Sequence, residues 1–164
     1  MSSNDKHSLR SSEREEYVEY IFLAKLCSFG WSSDRFVEVA RAQTDAFGYD
    51  LVLGSGDVTR HVQLKASVAD GSTKSQKISK SLANKPSGCV IWMKVNPNTL
   101  EPETYGWFGG KPNDVLPDLG SKAVKHTKGN AQGEKKERPN MRQLPWRSFT
   151  VLRSAKEVFE QLFG

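Results

Sequence analysis

Gly48-Tyr49-Asp50-Leu51-Val52-Leu53-Gly54-Ser55-Gly56-Asp57-Val58-Thr59-Arg60-His61-Val62-Gln63-Leu64-Lys65 is the stretch from which the rest of the chain can be placed. Two alternating segments, Tyr49 to Leu53 and Arg60 to Lys65, flank a cluster of turn residues at Gly54 to Asp57, which predicts a β-hairpin. Strand side chains alternate with a period of two, so His61, Gln63 and Lys65 share one face while Val62 and Leu64 take the other. A loop from Gly54 to Thr59 sets Asp50 directly across from Gln63. A carboxylate, an amide oxygen and a lysine then converge at one end of the hairpin. Oxygen ligands suit Mg²⁺, and a lysine beside them can hold or polarise a water, a combination suited to phosphodiester hydrolysis.

The bulk properties bound this reading. At 164 residues the chain is expected to form a single domain over residues 1–164, large enough to bury a core without disulfides or metal staples. Its 37% hydrophobic and 26% charged content is that of a polar globular protein. No apolar run approaches a membrane span and Met1 to Lys6 has no apolar signal core, so no membrane association and a cytoplasmic location are expected. Cys27 and Cys89 lie in apolar segments and read as reduced, buried thiols. A net charge of +5 points mildly toward a polyanionic partner.

In chain order, residues 1–10 read as a flexible N-terminus. Ser12 to Glu15 has the form of a capping box, predicting a helix with Val18, Ile21, Phe22, Leu26 and Phe29 inward and a stop at Gly30. Glu19 falls at the edge of that stripe, where a metal or a lysine would be its partner; alternatively Glu13, Glu15, Glu16 and Glu19 all form a solvated acidic first turn. Arg35 to Ala40 alternates as a first strand, Arg41 to Phe47 is a loop, and the hairpin supplies strands two and three. Ser67 to Ser75 is a polar loop able to cover the site, and Ser75 to Lys85 a short helix with Ile78 and Leu82 inward. Gly88 to Val95 is a buried central strand and Thr104 to Phe108 another. Residues 116–147 form a basic loop or arm in which Lys122, Lys125, Lys128, Lys135, Lys136, Arg138 and Arg142 offer phosphate contacts, or serve only as a solvated face. Phe149 to Leu152 is a last strand, and a second capping box at Ser154 to Glu157 opens a final amphipathic helix.

This order, a helix with Glu19, a strand, Asp50, Gln63-x-Lys65, a helix and a buried strand, resembles the PD-(D/E)xK nuclease superfamily. Its pattern is closest to Mrr-type restriction endonucleases and archaeal Holliday junction resolvases. Tyr49 stands where the motif has Pro, and Gln63 where it has an acid, the Mrr-type variant. The resemblance implies an α/β, restriction-endonuclease-like αβββαβ core, a mixed central sheet flanked by helices, followed here by the basic loop and the final helix. It also implies Mg²⁺ or Mn²⁺ held by Asp50, the Gln63 amide oxygen, the Leu64 carbonyl and Glu19, with Lys65 positioning the attacking water. DNA is the implied substrate and a homodimer a possible assembly. Two other readings compete with this Mg²⁺-dependent endonuclease: a non-catalytic nucleic-acid-binding module on the same scaffold, and an interaction subunit. A Walker loop, zinc-type Cys/His spacing and a Gly-x-Ser-x-Gly elbow are all missing from the sequence.

Overall fold

The structure is a computed structural model that describes residues 3–164. It is a mixed α/β fold. Helices α1 (Ser3–Leu9) and α2 (Ser11–Ser32) precede strands β1 (Glu38–Arg41), β2 (Leu51–Ser55) and β3 (Val58–Val68). Then come β4 (Ser75–Ser79), a 3-10 turn (Lys80–Asn84), β5 (Gly88–Val95) and β6 (Pro102–Gly109). The chain closes with β7 (Ala123–Lys125), β8 (Glu137–Pro145), a second 3-10 turn (Trp146–Ser148), β9 (Thr150–Leu152) and α3 (Ala155–Phe163).

The main sheet has six strands in the order β1-β2-β3-β5-β6-β9, antiparallel throughout except that β3 and β5 run parallel. A second, three-stranded sheet has the order β4-β8-β7. The alternation of β5 explains the layering. Cys89, Ile91, Met93 and Val95 pack with Val18, Phe22 and Leu26 of α2 and with Val158, Phe159 and Leu162 of α3. Val90 and Trp92 face the other way, onto Ile78, Leu82, Leu144 and Phe149 around the second sheet. Burying the central strand on both faces requires its near-continuous apolar sequence.

The hairpin forms with a tighter turn than the expected loop. The ladder runs from Leu51↔Val62 to Ser55↔Val58 and leaves only Gly56 and Asp57 at the tip, with Gly56 at φ +61. A two-residue turn with glycine first matches the twist of the flanking strands.

Several expected elements are replaced. Ser3–Leu9 is helical rather than flexible, while Met1 and Ser2 lie outside the described residues. The Ser12 capping box does not form: α2 begins after Arg10, with no side-chain cap, and the Arg14 N–H donates to the Arg10 carbonyl at 2.9 Å. The preceding turn supplies carbonyls that leave a cap no work to do. Gly30 does not end α2. A Cβ there would lie 2.5 Å from the Arg35 carbonyl oxygen and 3.4 Å from the Phe159 ring, so glycine permits the close approach of the chain that leaves the helix. Ser75 to Lys85 is a strand and a 3-10 turn instead of a helix, although Ile78 and Leu82 are buried as the helical spacing anticipated. β4 finds a partner in β8, and backbone pairing to a segment far along the chain outweighs weak local helical preference. Residues 116–147 are likewise no free arm, because β7 and β8 build the second sheet.

At the C-terminal end Ser154 caps α3 as the sequence predicts, while Glu157 reaches back to the residue before the cap. The Glu157 N–H donates to Ser154 Oγ at 3.2 Å, and Glu157 Oε2 accepts from the Arg153 N–H at 2.8 Å.

Candidate active site

β2 is shorter than β3, and the site lies where β2 runs out. The Asp50 N–H reaches the Val62 carbonyl at 2.9 Å, so Val62 turns its backbone toward β2. By the two-residue period Leu64 does the same, at a level where β2 has ended. The Leu64 N–H is met by the Asp50 carboxylate, with Oδ2 accepting at 2.7 Å. The Asp50 carboxylate thus engages the residue after Gln63, one step past the last paired residues, Leu51 and Val62. The preceding Gly48, at φ +80, fits against the 3-10 turn where a Cβ would meet Ser79 Cβ at 3.0 Å and the Leu82 nitrogen at 3.1 Å. This contact aims the Tyr49–Asp50 segment at the strand end.

Asp50, Gln63, Leu64, Lys65 and Glu19 all line one cavity of about 540 Å³. Glu19 enters it from α2, Asp50 from the approach to β2, and the other three from β3. Gln63 is 7% exposed, and its Oε1 is buried without a hydrogen-bond partner. A buried acceptor left unmet costs about 1–3 kcal/mol, so this oxygen calls for a cation or a water. Burial raises the Asp50 carboxyl above its ordinary range, partly offset by the Leu64 N–H and by Lys65, with Asp45 and Glu15 adding to the rise. Burial lowers the Lys65 ammonium, opposed chiefly by Asp50. A carboxylate and an ammonium thus sit together with too little solvent, as in sites that hold charged ligands.

Glu19 faces inward, but its partner is Arg41, with Nη2 at 2.7 Å from Oε1. Burial raises the Glu19 carboxyl and Arg41 opposes it, while Asp50 and Glu16 add to the rise. Neither a lysine partner nor a wholly solvated acidic turn describes this carboxylate. The sequence predicts a loop from Arg41 onward, whereas Arg41 ends β1 and turns its guanidinium to Glu19. Glu15, Asp45 and Gln76 also line the cavity and were missed as site residues. For Glu15 a signal was present, since a residue four before Glu19 shares its helix face.

The basic residues stand apart. None of Lys122, Lys125, Lys128, Lys135, Lys136, Arg138 and Arg142 lines the cavity. The five lysines are exposed. Arg138 donates to His126 at 3.4 Å, and Arg142 turns its guanidinium back onto the Pro139 and Met141 carbonyls at 2.8 and 2.9 Å. Arg142 is thus committed to its own backbone rather than held out for phosphate.

Among the described residues no three His, Cys, Asp or Glu side chains gather as metal ligands, and no helix is long and apolar enough to cross a membrane. A divalent ion here would draw on one carboxylate together with amide and carbonyl oxygens, a donor set suited to Mg²⁺ or Mn²⁺. The orphaned Gln63 Oε1 fits that requirement. No known protein family, curated protein or solved structure matches this chain.

Proposed function

We propose that the protein is a divalent-metal-dependent endonuclease that hydrolyses phosphodiester bonds in DNA on a restriction-endonuclease-like core. The observation that carries the reading is the meeting of Asp50, the unpartnered Gln63 Oε1 and Lys65 at one cavity. The order α2-β1-β2-β3, followed by β5 parallel to β3, supports the core assignment. The departure from αβββαβ is the crossover, made by β4 and a 3-10 turn in place of a helix.

Asp50, Gln63 Oε1 and the Leu64 carbonyl would hold Mg²⁺ or Mn²⁺, with Glu19 joining if it releases Arg41. When bound, such an ion supplies Lewis-acid polarisation of the scissile phosphate and a more acidic water. The Leu64 N–H fixes the Asp50 carboxylate through Oδ2. Lys65 Nζ orients the attacking water and stabilises the negative charge that grows on the phosphoryl oxygens, an effect strengthened by its burial. The exposed lysines on the second sheet and its loop add salt-sensitive affinity for the backbone.

One observation favours a second reading. With Gln63 in place of an acid and Glu19 held by Arg41, Asp50 is the carboxylate left to anchor a cation, which suits a non-catalytic DNA-binding module. Incubation of plasmid, linear and branched DNA with Mg²⁺ or Mn²⁺ separates the two. The enzyme reading predicts cleavage that falls at least about a hundredfold in Asp50→Asn and Lys65→Ala, since each removes transition-state charge stabilisation. Binding without cleavage under every metal, or cleavage unchanged in both variants, overturns it.

A further inference from the structure

The rim of the cavity carries an aromatic cluster that the hydrolytic chemistry does not use. Phe47 lies in the turn closed by the Gly48 N–H on the Asp45 carbonyl, belongs to neither apolar core and is 56% exposed. Lys85 Nζ stands 4.8 Å from the centre of the Phe47 ring and 5.8 Å from that of Tyr49. Tyr49 meets His61 edge to face, with ring centres 4.9 Å apart at 79°. His61 Nδ1 lies 2.7 Å from the Pro86 carbonyl, so Nδ1–H donates to it and the ring is pinned. Tyr49 also lines the cavity that holds Asp50, which makes this platform and the candidate active site contiguous.

We propose that Phe47, Tyr49 and Lys85 form a binding site for an unpaired base of the DNA strand whose phosphate occupies the cavity. The inference rests on the nuclease reading above and narrows its substrate to DNA with at least one unpaired nucleotide beside the scissile bond. An exposed ring outside both apolar cores, with the half-buried Lys85 ammonium 4.8 Å from its centre, gains little from packing, whereas aromatic rings beside a cation are the recurring means of holding bases of a single strand. A duplex presents no free base face to such a ring, because its bases already stack on one another. His61 stands one same-face step from Gln63, about 7 Å along the strand. Lys65 stands one such step further, about 13 Å from His61, so the strand can place its scissile phosphate at the cavity and the base of an adjoining nucleotide on the platform, with Lys85 neutralising a neighbouring phosphate.

The test measures fluorescence anisotropy of a labelled single-stranded deoxyoligonucleotide and of a blunt duplex of equal length, in EDTA so that no cleavage intervenes. Full-length wild type, Phe47→Ala and Phe47→Trp are compared; the exposure of Phe47 leaves the fold undisturbed, which circular dichroism verifies. Phe47→Ala should weaken single-strand binding about tenfold or more and duplex binding less than twofold, and Phe47→Trp should retain single-strand binding. A 2-aminopurine in the strand should be quenched by wild type and not by Phe47→Ala. Equal losses on both DNAs, no loss on the single strand, or capture of neither DNA overturns the proposal. Phe47-dependent single-strand binding without metal-dependent cleavage sustains the base site and removes the nuclease reading. Cleavage with indifference to Phe47 does the reverse.

Discussion

Asp50 combines two demands that pull against each other. It caps the Leu64 N–H, which favours the carboxylate, and it is buried enough for the balance to run the other way, so its carboxyl is raised above the usual aspartate range. A raised folded-state value means that the folded protein binds this proton more tightly than the unfolded chain. Its contribution to stability is therefore largest at low pH and is lost as pH rises through the folded value. Asn resembles the protonated acid and still accepts from Leu64. Asp50→Asn should raise the melting temperature in EDTA at pH 8 by about 3 °C, an advantage that shrinks as pH is lowered through the folded value. An unchanged or lower melting temperature at pH 8, read by scanning calorimetry, would contradict the burial argument. Metal-dependent cleavage requires the carboxylate, so at sub-saturating metal its acid limb should fall above the ordinary aspartate range, and saturating metal should move it down. Asp50, Gln63 and Lys65 were legible in the sequence because strand alternation and one turn suffice to bring them together. Arg41 was not, since its partner Glu19 is separated from it by a helix and a turn, and no local period connects them.

Among the elements, α3 shows how a helix is fastened by one residue from a distant strand. Arg60 of β3 is wholly buried and donates from Nε to the Leu162 carbonyl at 2.7 Å and from Nη2 to Gln161 and Gly110 at 3.1 and 3.0 Å. Those carbonyls include the unpaired acceptors of the last helical turn, where a cation is also favoured by the helix dipole. Arg60→Met keeps much of the volume but strands these acceptors. It should cost about 2–4 kcal/mol in urea denaturation, and full wild-type stability would show the contacts to be dispensable. The alternation of Arg60 was visible in the sequence, but its burial was not, because a charged side chain in a strand reads as outward. The two strands that the sequence misassigns share one cause. Ser75 to Ser79 and Glu137 to Pro145 become strands by pairing with each other across about sixty residues of chain, and local composition carries no record of that partner. Gly88 to Val95 and α3 are readable because burial on both faces and a serine N-cap leave local signatures.

For the whole molecule, charge is divided between a cavity with paired acids and cations and a second sheet whose loop carries exposed lysines. If that loop meets the DNA backbone, Lys135→Glu with Lys136→Glu should weaken binding of all DNA sequences alike and reduce the slope of log affinity on log salt by about 2. An unchanged slope, measured by anisotropy across a salt series, would assign the lysines to solvation alone. The central claim concerns the cavity itself, and it is tested most directly by calorimetric titration of Mn²⁺ into wild type, Asp50→Asn, Gln63→Leu and the Lys135/Lys136 double variant. The account predicts saturable binding in wild type and the double variant, weaker binding in Gln63→Leu and none in Asp50→Asn. Identical heats in wild type and Asp50→Asn, or no binding to wild type, would contradict it.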